Sequence, residues 1–364
     1  MNRERILVAM SGGVDSAAAA AFLVGQGHEV VGATLKLWCY GGAEASPRSC
    51  CSLRDIEDAR AVAEVLGIRH YVLDEESAFD SAVVRPFVNS YLAGETPNPC
   101  VRCNTHLKFG SMLRRARALG FDAVATGHYA IREETPAGPV LRRARDRTKD
   151  QSYVLWGLAR EDLARARFPL GPYTKAEVRE AARRSGLSVA EKTESQDICF
   201  VSQGGYGDFV AARAEGAPQA GPGDLVDLTG RVLGRHRGAL HYTVGQRRGL
   251  GVAGGEPLYV VRVDAEENRV VVGRETDLYA PEFVVRELNW ISIAPPPGPL
   301  EAEVKVRYRA HPAPALVVPL PGARARVTFR APERASAPGQ SAVFYRDEVL
   351  LGGGVIEPRR EVTA

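Results

Sequence analysis

The sequence contains no Gly-Lys dipeptide, which excludes a Walker A nucleotide loop, where a lysine must follow the last glycine. It has no apolar run long enough to cross a membrane, and its N-terminus lacks the apolar core of a secretory signal. The expectation is a cytoplasmic protein with no membrane partner. Cysteine is scarce, with 6 in 364 residues; in a cytosolic setting these are not a disulfide framework, and metal or redox chemistry is the better expectation. A single C-x-x-C, Cys100 to Cys103, has no second such pair and no H-x-x-x-H to complete a four-ligand structural zinc site. An excess of one charge sign is also lacking. The 47 basic and 44 acidic residues leave +3, which neither supports nor excludes RNA as a partner. The hydrophobic share of 45% excludes a disordered chain and suits two or three globular domains.

What is present is concentrated at the start. An apolar run, Ile6 to Met10, leads into Ser11-Gly12-Gly13-Val14-Asp15-Ser16 and then an alanine-rich stretch, Ala17 to Val24. This reads as strand, glycine turn and helix start. The first amides of a helix have no partners within it, and the helix dipole favours negative charge there, so such a turn attracts phosphate. Serine and aspartate are also ordinary helix caps. The whole hexapeptide in the first strand-to-helix turn favours the anion site. It resembles the PP-loop of ATP pyrophosphatases, which cleave ATP between its α and β phosphates.

The first half alternates strand and helix signals. Strands are expected at Val30–Leu37, His70–Leu73 and Ala123–Thr126, and helices at Asp55–Leu66, Val83–Leu92 and Leu107–Leu119. Thr174-Lys175-Ala176-Glu177 is a capping-box pattern opening a helix that Gly186 closes. This is an α/β pattern with a doubly wound parallel sheet, whose ligands sit beyond the strand C-termini. Residues 204–223, rich in Gly, Ala and Pro, look like a boundary. Beyond them Tyr259–Val263 and Arg269–Val272 read as a hairpin, and strands are expected at Ala302–Arg309, Ala315–Val318, Ala325–Phe329 and Ser341–Tyr345. The expected domains are 1–203, a central β-rich module at 204–275, and a C-terminal β-barrel at 276–364. Gly249 to Gly254 fits G-x-G-x-x-G, but a strand follows it, so it is a glycine turn. Arg142, Arg143, Arg145, Arg147 and Lys149 form a basic run, and Arg247-Arg248 a basic pair; either is an RNA contact or a solvated face.

Several further segments occur in a telling order: Thr96-Pro97-Asn98-Pro99-Cys100-Val101-Arg102-Cys103-Asn104, Thr126-Gly127-His128, Lys149 to Tyr153, Ser195-Gln196-Asp197-Ile198-Cys199-Phe200, Tyr242 to Leu250, and Arg307-Tyr308-Arg309. With the PP-loop they span nearly the whole chain and resemble the tRNA 2-thiouridylase family. The resemblance implies adenylation of the 2-oxygen of the wobble uridine of tRNA, release of pyrophosphate, and replacement of the activated oxygen by sulfur. It implies ATP at Ala9, Met10, Ser11, Gly12, Gly13, Val14, Asp15, Ser16, Leu35 and Gly127, with Asp15 helping to place Mg2+. Leu35 stands where the family pattern leads one to expect methionine.

The same resemblance implies that Cys199 carries a persulfide from an upstream sulfur-donor protein. Cys103 is then the nucleophile or resolving thiol, and the two pair as a disulfide during the cycle. Only thiolate is reactive, so the site must supply positive charge or helix amides. Cys100 departs from the family pattern, in which many members have aspartate. With Cys103 and Cys199 it offers three thiols for a [4Fe–4S] cluster, an alternative to the persulfide route. The persulfide route is preferred because its two cysteines are both present. Asn98 and Pro99 are expected at the flipped uridine, and His128 stacked on a base or ribose unless it is a packing histidine. Lys149, Asp150 and Gln151 are expected at the anticodon arm, and Arg307, Tyr308 and Gln340 at RNA from the barrel. Two other functions remain: a PP-loop ligase acting on a small molecule, which would not need Cys103 or Cys199, and a zinc-bearing RNA-binding module without catalysis. Cys39 and the adjacent Cys50-Cys51 receive no role.

Overall fold

A computed structural model describes residues 3–37, 53–193, 198–201, 205–214, 216–252, 256–334 and 337–359. Cys39, Cys50, Cys51 and the Ser195-Gln196-Asp197 part of the Cys199 segment lie outside the described residues.

The N-terminal unit is built on a parallel sheet. Its strand order is Arg69–Asp74, Glu29–Lys36, Arg5–Ala9, Ala123–Ala125 and Ala166–Arg167. The chain winds outward from Arg5–Ala9 in one direction and then returns to wind in the other. The order therefore reverses between Arg5–Ala9 and Ala123–Ala125, which pair directly, Ile6 with Ala123 and Val8 with Ala125. A crevice opens at such a reversal beyond the strand C-termini. The central strands are buried on both faces, as a parallel sheet covered by helices requires; Ile6 and Val8 are fully buried. Helix Val14–Gly25 is alanine-rich on its packed face, which allows close approach to the sheet. The expected strands and helices of this half are present, at Glu29–Lys36, Arg69–Asp74, Leu53–Val65 and Lys175–Arg184. The capping box is formed: Thr174 Oγ1 accepts from the Glu177 amide at 3.3 Å, and the Thr174 amide donates to the Glu177 carboxylate at 2.7 Å.

Two helices are longer and less regular than the sequence suggests. Residues 99–118 form one continuous helical run in which Cys103–Ser111 is wound as a π-helix, and 76–92 contains a π segment at Asp80–Val84. π segments widen a helix and recur at functional sites; here Cys103 opens one. Residues 204–223 are not simply a boundary: helix Tyr206–Ala211 lies within them.

The central module is a four-stranded sheet in the order Tyr259–Asp264, Arg269–Gly273, Gly223–Val226, Val232–His236, and it contains the expected hairpin. The C-terminal unit closes into a six-stranded barrel because Tyr279–Trp290 pairs with Val349–Ile356 as well as with Arg324–Arg334. Strand Leu300–Lys305 ends before Arg307, so Arg307-Tyr308-Arg309 lie in a turn, not in the expected strand. A hairpin from the N-terminal unit, Ala130–Thr135 with Gly138–Arg143, continues the barrel sheet through Leu141 opposite Leu350. The two units thus share one sheet. Asp150 completes this joint. Its buried carboxylate accepts from the Ala144 amide at 3.0 Å and from Ser152 Oγ at 2.9 Å, and Ser152 Oγ in turn lies 3.1 Å from the Tyr345 hydroxyl.

Candidate functional site

At the sheet reversal the Ser11–Ser16 loop and the Thr126-Gly127-His128 loop meet. Gly12 has φ +69, and a Cβ there would stand 2.3 Å from the Asp55 carbonyl oxygen, so only glycine fits. Gly127 is required by contact: a Cβ would come within 2.7 Å of the Ser16 nitrogen. Gly13 caps helix Val14–Gly25 with no side-chain acceptor on its first amides, which leaves them for an anion. The two serines are engaged locally. Ser16 Oγ donates to the Gly13 carbonyl at 3.0 Å and accepts from the Ser11 amide at 3.1 Å, holding the loop in shape. Met10 is buried; its carbonyl accepts from Thr34 Oγ1 at 2.8 Å, and Leu35 is buried near the end of the neighbouring strand.

Two lysines that the sequence reading did not single out stand against this loop. Lys175 Nζ donates to both Asp15 carboxylate oxygens, at 2.7 and 2.9 Å, and the Tyr129 hydroxyl donates to Oδ1 at 2.8 Å. Lys192 Nζ donates to the Gly12 carbonyl at 3.0 Å, to Asp55 at 2.7 Å and to Asp58 at 2.5 Å. Burial acts to depress the Lys192 pKa, but its bonds to Asp55 and Asp58 outweigh this and raise it. The loop is thus an anion cradle with two ammonium groups beside it. A signal existed for Lys175. It is the first residue of its helix, where the dipole disfavours a cation unless a carboxylate faces it.

His128 is buried, with Nδ1 2.7 Å from Thr126 Oγ1 and its ring edge-on to Phe168. Burial, and then the nearby Lys108, push its pKa well below the usual histidine value, so it is uncharged at neutral pH. This is the packing histidine rather than an exposed stacking platform. Gln151 faces inward as well: its Oε1 accepts from the Tyr129 amide at 3.0 Å. Lys149 lies in the turn that starts at Asp146, its amide donating to the Asp146 carbonyl at 3.1 Å.

Cys100 is exposed, and Cys103 and Cys199 are half-buried. Asn98 caps the helical run that carries Cys100 and Cys103, its Oδ1 accepting from the Cys100 amide at 3.2 Å, and Pro99 occupies the first turn. Cys103 and Cys199 both pack against the core that contains Phe79, Phe87 and Phe200. Among the described residues no three Cys, His, Asp or Glu side chains converge as a metal-ligand set. The segment ahead of Cys100 is clamped by the barrel. Arg286 forms a bidentate pair with Glu95 at 3.0 and 2.7 Å, the Thr96 amide donates to the Pro338 carbonyl at 2.7 Å, and Gln340 Nε2 donates to the Thr96 carbonyl at 2.7 Å. Gln340 therefore acts here on the protein's own backbone.

The basic run does not stand open. Arg142 pairs with Glu133 at 2.5 Å, Arg143 with Glu303 at 3.4 Å, Arg145 with Glu177 at 3.2 Å, and Arg147 with Glu348. Arg307 and Tyr308 lie in a turn at the barrel mouth, with Tyr308 41% exposed.

Comparison with known proteins finds three family matches along the chain. Residues 4–203 match the tRNA methyl transferase HUP domain, 208–274 the tRNA methyl transferase PRC-barrel domain, and 280–356 the aminomethyltransferase beta-barrel domain. A tRNA-specific 2-thiouridylase MnmA of Geobacter metallireducens is 51% identical over 360 residues, covering 98% of this chain and 97% of that protein. The MnmA of Acetivibrio thermocellus is 45% identical over 361 residues, covering 98% of this chain and 100% of that protein. Among solved structures, a 4-thiouridine synthetase in complex with RNA and ATP is similar at a TM-score of 0.34 and 18% identity, over 54% of this chain and 45% of that one, too loosely to carry an argument. On the near full-length matches, this chain belongs to the tRNA-specific 2-thiouridylase MnmA family.

Proposed function

We propose that this chain is an ATP-dependent tRNA-uridine 2-sulfurtransferase acting on the wobble uridine. The observation that carries the reading is the joining, in one unit, of an anion cradle at the sheet reversal with two thiols on an adjoining core. The uridine 2-oxygen is a poor leaving group. Its attack on the α-phosphate of ATP expels pyrophosphate and makes it a good one. The amides at the start of helix Val14–Gly25 hold phosphate oxygens, and Lys175 and Lys192 meet the charge that develops on the leaving pyrophosphate. Asp15 is the carboxylate suited to hold Mg2+, which takes one or two carboxylates plus substrate phosphates. Mg2+ held there would supply charge neutralisation on those phosphates, and Lys175 would exchange its bond to Asp15 for one to phosphate.

Sulfur arrives at Cys199 as a persulfide from a donor protein. Its terminal sulfur attacks the activated carbon and AMP departs. The Cys103 thiolate then attacks the Cys199 sulfur, which leaves 2-thiouridine and a Cys103–Cys199 disulfide that an external thiol must reduce. Asn98 and Pro99 border the base, and Cys100 stands beside them. Residues 1–203 carry the chemistry, 204–275 and 276–364 the RNA arm. The test is mass spectrometry of tRNA incubated with enzyme, ATP and a sulfur source. 2-Thiouridine is expected, and it should be lost in Cys199→Ser and in Cys103→Ser. Normal thiolation by both variants would overturn the persulfide route.

A further inference from the structure

The sulfur transfer ends with a disulfide that must be reopened before Cys199 receives sulfur again. Both of its sulfurs belong to half-buried residues, packed against the core that contains Phe79, Phe87 and Phe200. Thiol–disulfide exchange needs the attacking thiolate to reach a sulfur atom, so a bulky reductant reacts slowly at a bond in such a place. Cys100 differs from the other two in being exposed, and it stands three residues ahead of Cys103. The two form a C-x-x-C pair in a unit of alternating strands and helices, the sequence setting in which such pairs serve redox exchange.

The local geometry suits exchange between them. Cys100 is the second residue of the helical run that Asn98 caps, and Cys103 lies one turn further along it. With a rise of about 1.5 Å per residue and a radius of about 2.3 Å, helical Cα atoms three residues apart stand about 5 Å from each other. That is within the span of roughly 4.4–6.8 Å that disulfides bridge. The Cβ atoms of such a pair are about 5–6 Å apart and must approach to about 4 Å, so the turn has to tighten. A first turn is where this is easiest, because its amides have no partners within the helix. The Cys100 amide is accordingly bonded to Asn98 Oδ1, and the winding changes to π at Cys103. The helix dipole also favours a thiolate in the first turn, which is the attacking form.

We propose, on the basis of the persulfide route above, that Cys100 is a second resolving thiol, which reopens the Cys103–Cys199 bond from within the protein and carries the disulfide to the surface. The Cys100 thiolate attacks the Cys103 sulfur. A Cys100–Cys103 bond forms, the Cys103–Cys199 bond breaks, and its electron pair stays on Cys199 as a thiolate. One disulfide replaces another, so this step needs no oxidant or reductant. An external dithiol then attacks the exposed Cys100 sulfur. It gives up two electrons and two protons as it becomes a disulfide, and Cys100 and Cys103 return to thiols. Cys199 is ready for the sulfur donor before the reductant has acted. Aspartate, which the family pattern places at position 100, has no sulfur for this exchange.

The test is a single turnover of persulfide-loaded wild type and Cys100→Ser with tRNA and ATP, without reductant, stopped in acid, alkylated and digested with trypsin. Arg102 lies between the two cysteines, so cleavage after it separates Cys100 from Cys103, and the linked peptides report which pair is joined. Wild type should show Cys100 linked to Cys103, with Cys199 alkylated. Cys100→Ser should show Cys103 linked to Cys199. With a protein dithiol as reductant, later turnovers of Cys100→Ser should be slower than its first by roughly tenfold or more, and Cys100→Asp should behave alike. A Cys103–Cys199 linkage in wild type, with Cys100 alkylated, would overturn the proposal and leave the persulfide route standing. 2-Thiouridine formed by wild type with no disulfide among the three cysteines would sink the persulfide route itself.

Discussion

The nucleotide loop and the cysteine-bearing segment are organised in opposite ways. Ser11–Ser16 is contiguous, and its shape follows from its own glycines and serines, with Ser16 bonded back to Ser11 and Gly13. Within the Glu95–Cys103 segment Asn98 caps the Cys100 amide, but the chain ahead of that cap is held from outside. It is fastened by Arg286, Pro338 and Gln340, from a barrel that begins nearly two hundred residues later. The loop could be recognised from six letters because local backbone chemistry suffices for it. The clamp could not, because each of its parts is ordinary until the fold brings them together. A consequence is that the barrel is linked to the segment bearing Cys100 and Cys103 through one strap of chain.

Four perturbations probe that contrast. The largest effect is expected at the loop. Lys175→Met removes the ammonium facing Asp15, and pyrophosphate release in the presence of tRNA should fall on the order of 10^2- to 10^3-fold, with Lys175→Arg intermediate. Loss of less than a few-fold would remove Lys175 from the phosphate site. At the clamp, Arg286→Ala strands the buried Glu95 carboxylate, and denaturant unfolding should show a loss of about 3 kcal/mol. The double change with Glu95→Ala should recover part of it; no recovery would mean that the pair is not what holds the strap.

His128 gives a pH test of the loop region. Its folded pKa lies well below the unfolded value near 6.5, so below that pH the unfolded chain takes up a proton that the folded chain refuses. Stability should therefore fall as pH drops from about 6.5, by up to about 1.4 kcal/mol per pH unit for this one group. His128→Asn should flatten the slope by one proton, and an unaltered slope would show that the ring is not buried uncharged. The smallest effect is Thr174→Ala, which removes the helix cap preceding Lys175. A loss of about 1 kcal/mol is expected by thermal unfolding.

Much of the N-terminal fold was legible. The alternation of short apolar runs and helices, the capping box and the glycine turn all follow from interactions within a dozen residues. The hairpin at 130–143 was not read, because its strand pattern is mixed and its partner strand lies at 349–356. Asp150 resembled an RNA contact in sequence, yet its carboxylate satisfies the joint between two units. The run from Arg142 to Arg147 likewise looked like a cationic surface until its carboxylate partners, at 133, 177, 303 and 348, were seen beside it. Charge in a sequence is counted; only neighbours in space decide whether it is neutralised.

The amino-acid order alone determined the phosphate-accepting turn, the capping box that opens helix Lys175–Arg184, and the family to which the chain is related, since these depend on short-range backbone geometry and on motif order. Tertiary structure alone decided which cations face Asp15 and Gly12, which arginines are already paired, and how the barrel holds the strap before the thiols. Those outcomes depend on distances between groups remote in the chain, and electrostatic and hydrogen-bonding energies are set by such distances rather than by spacing along the sequence.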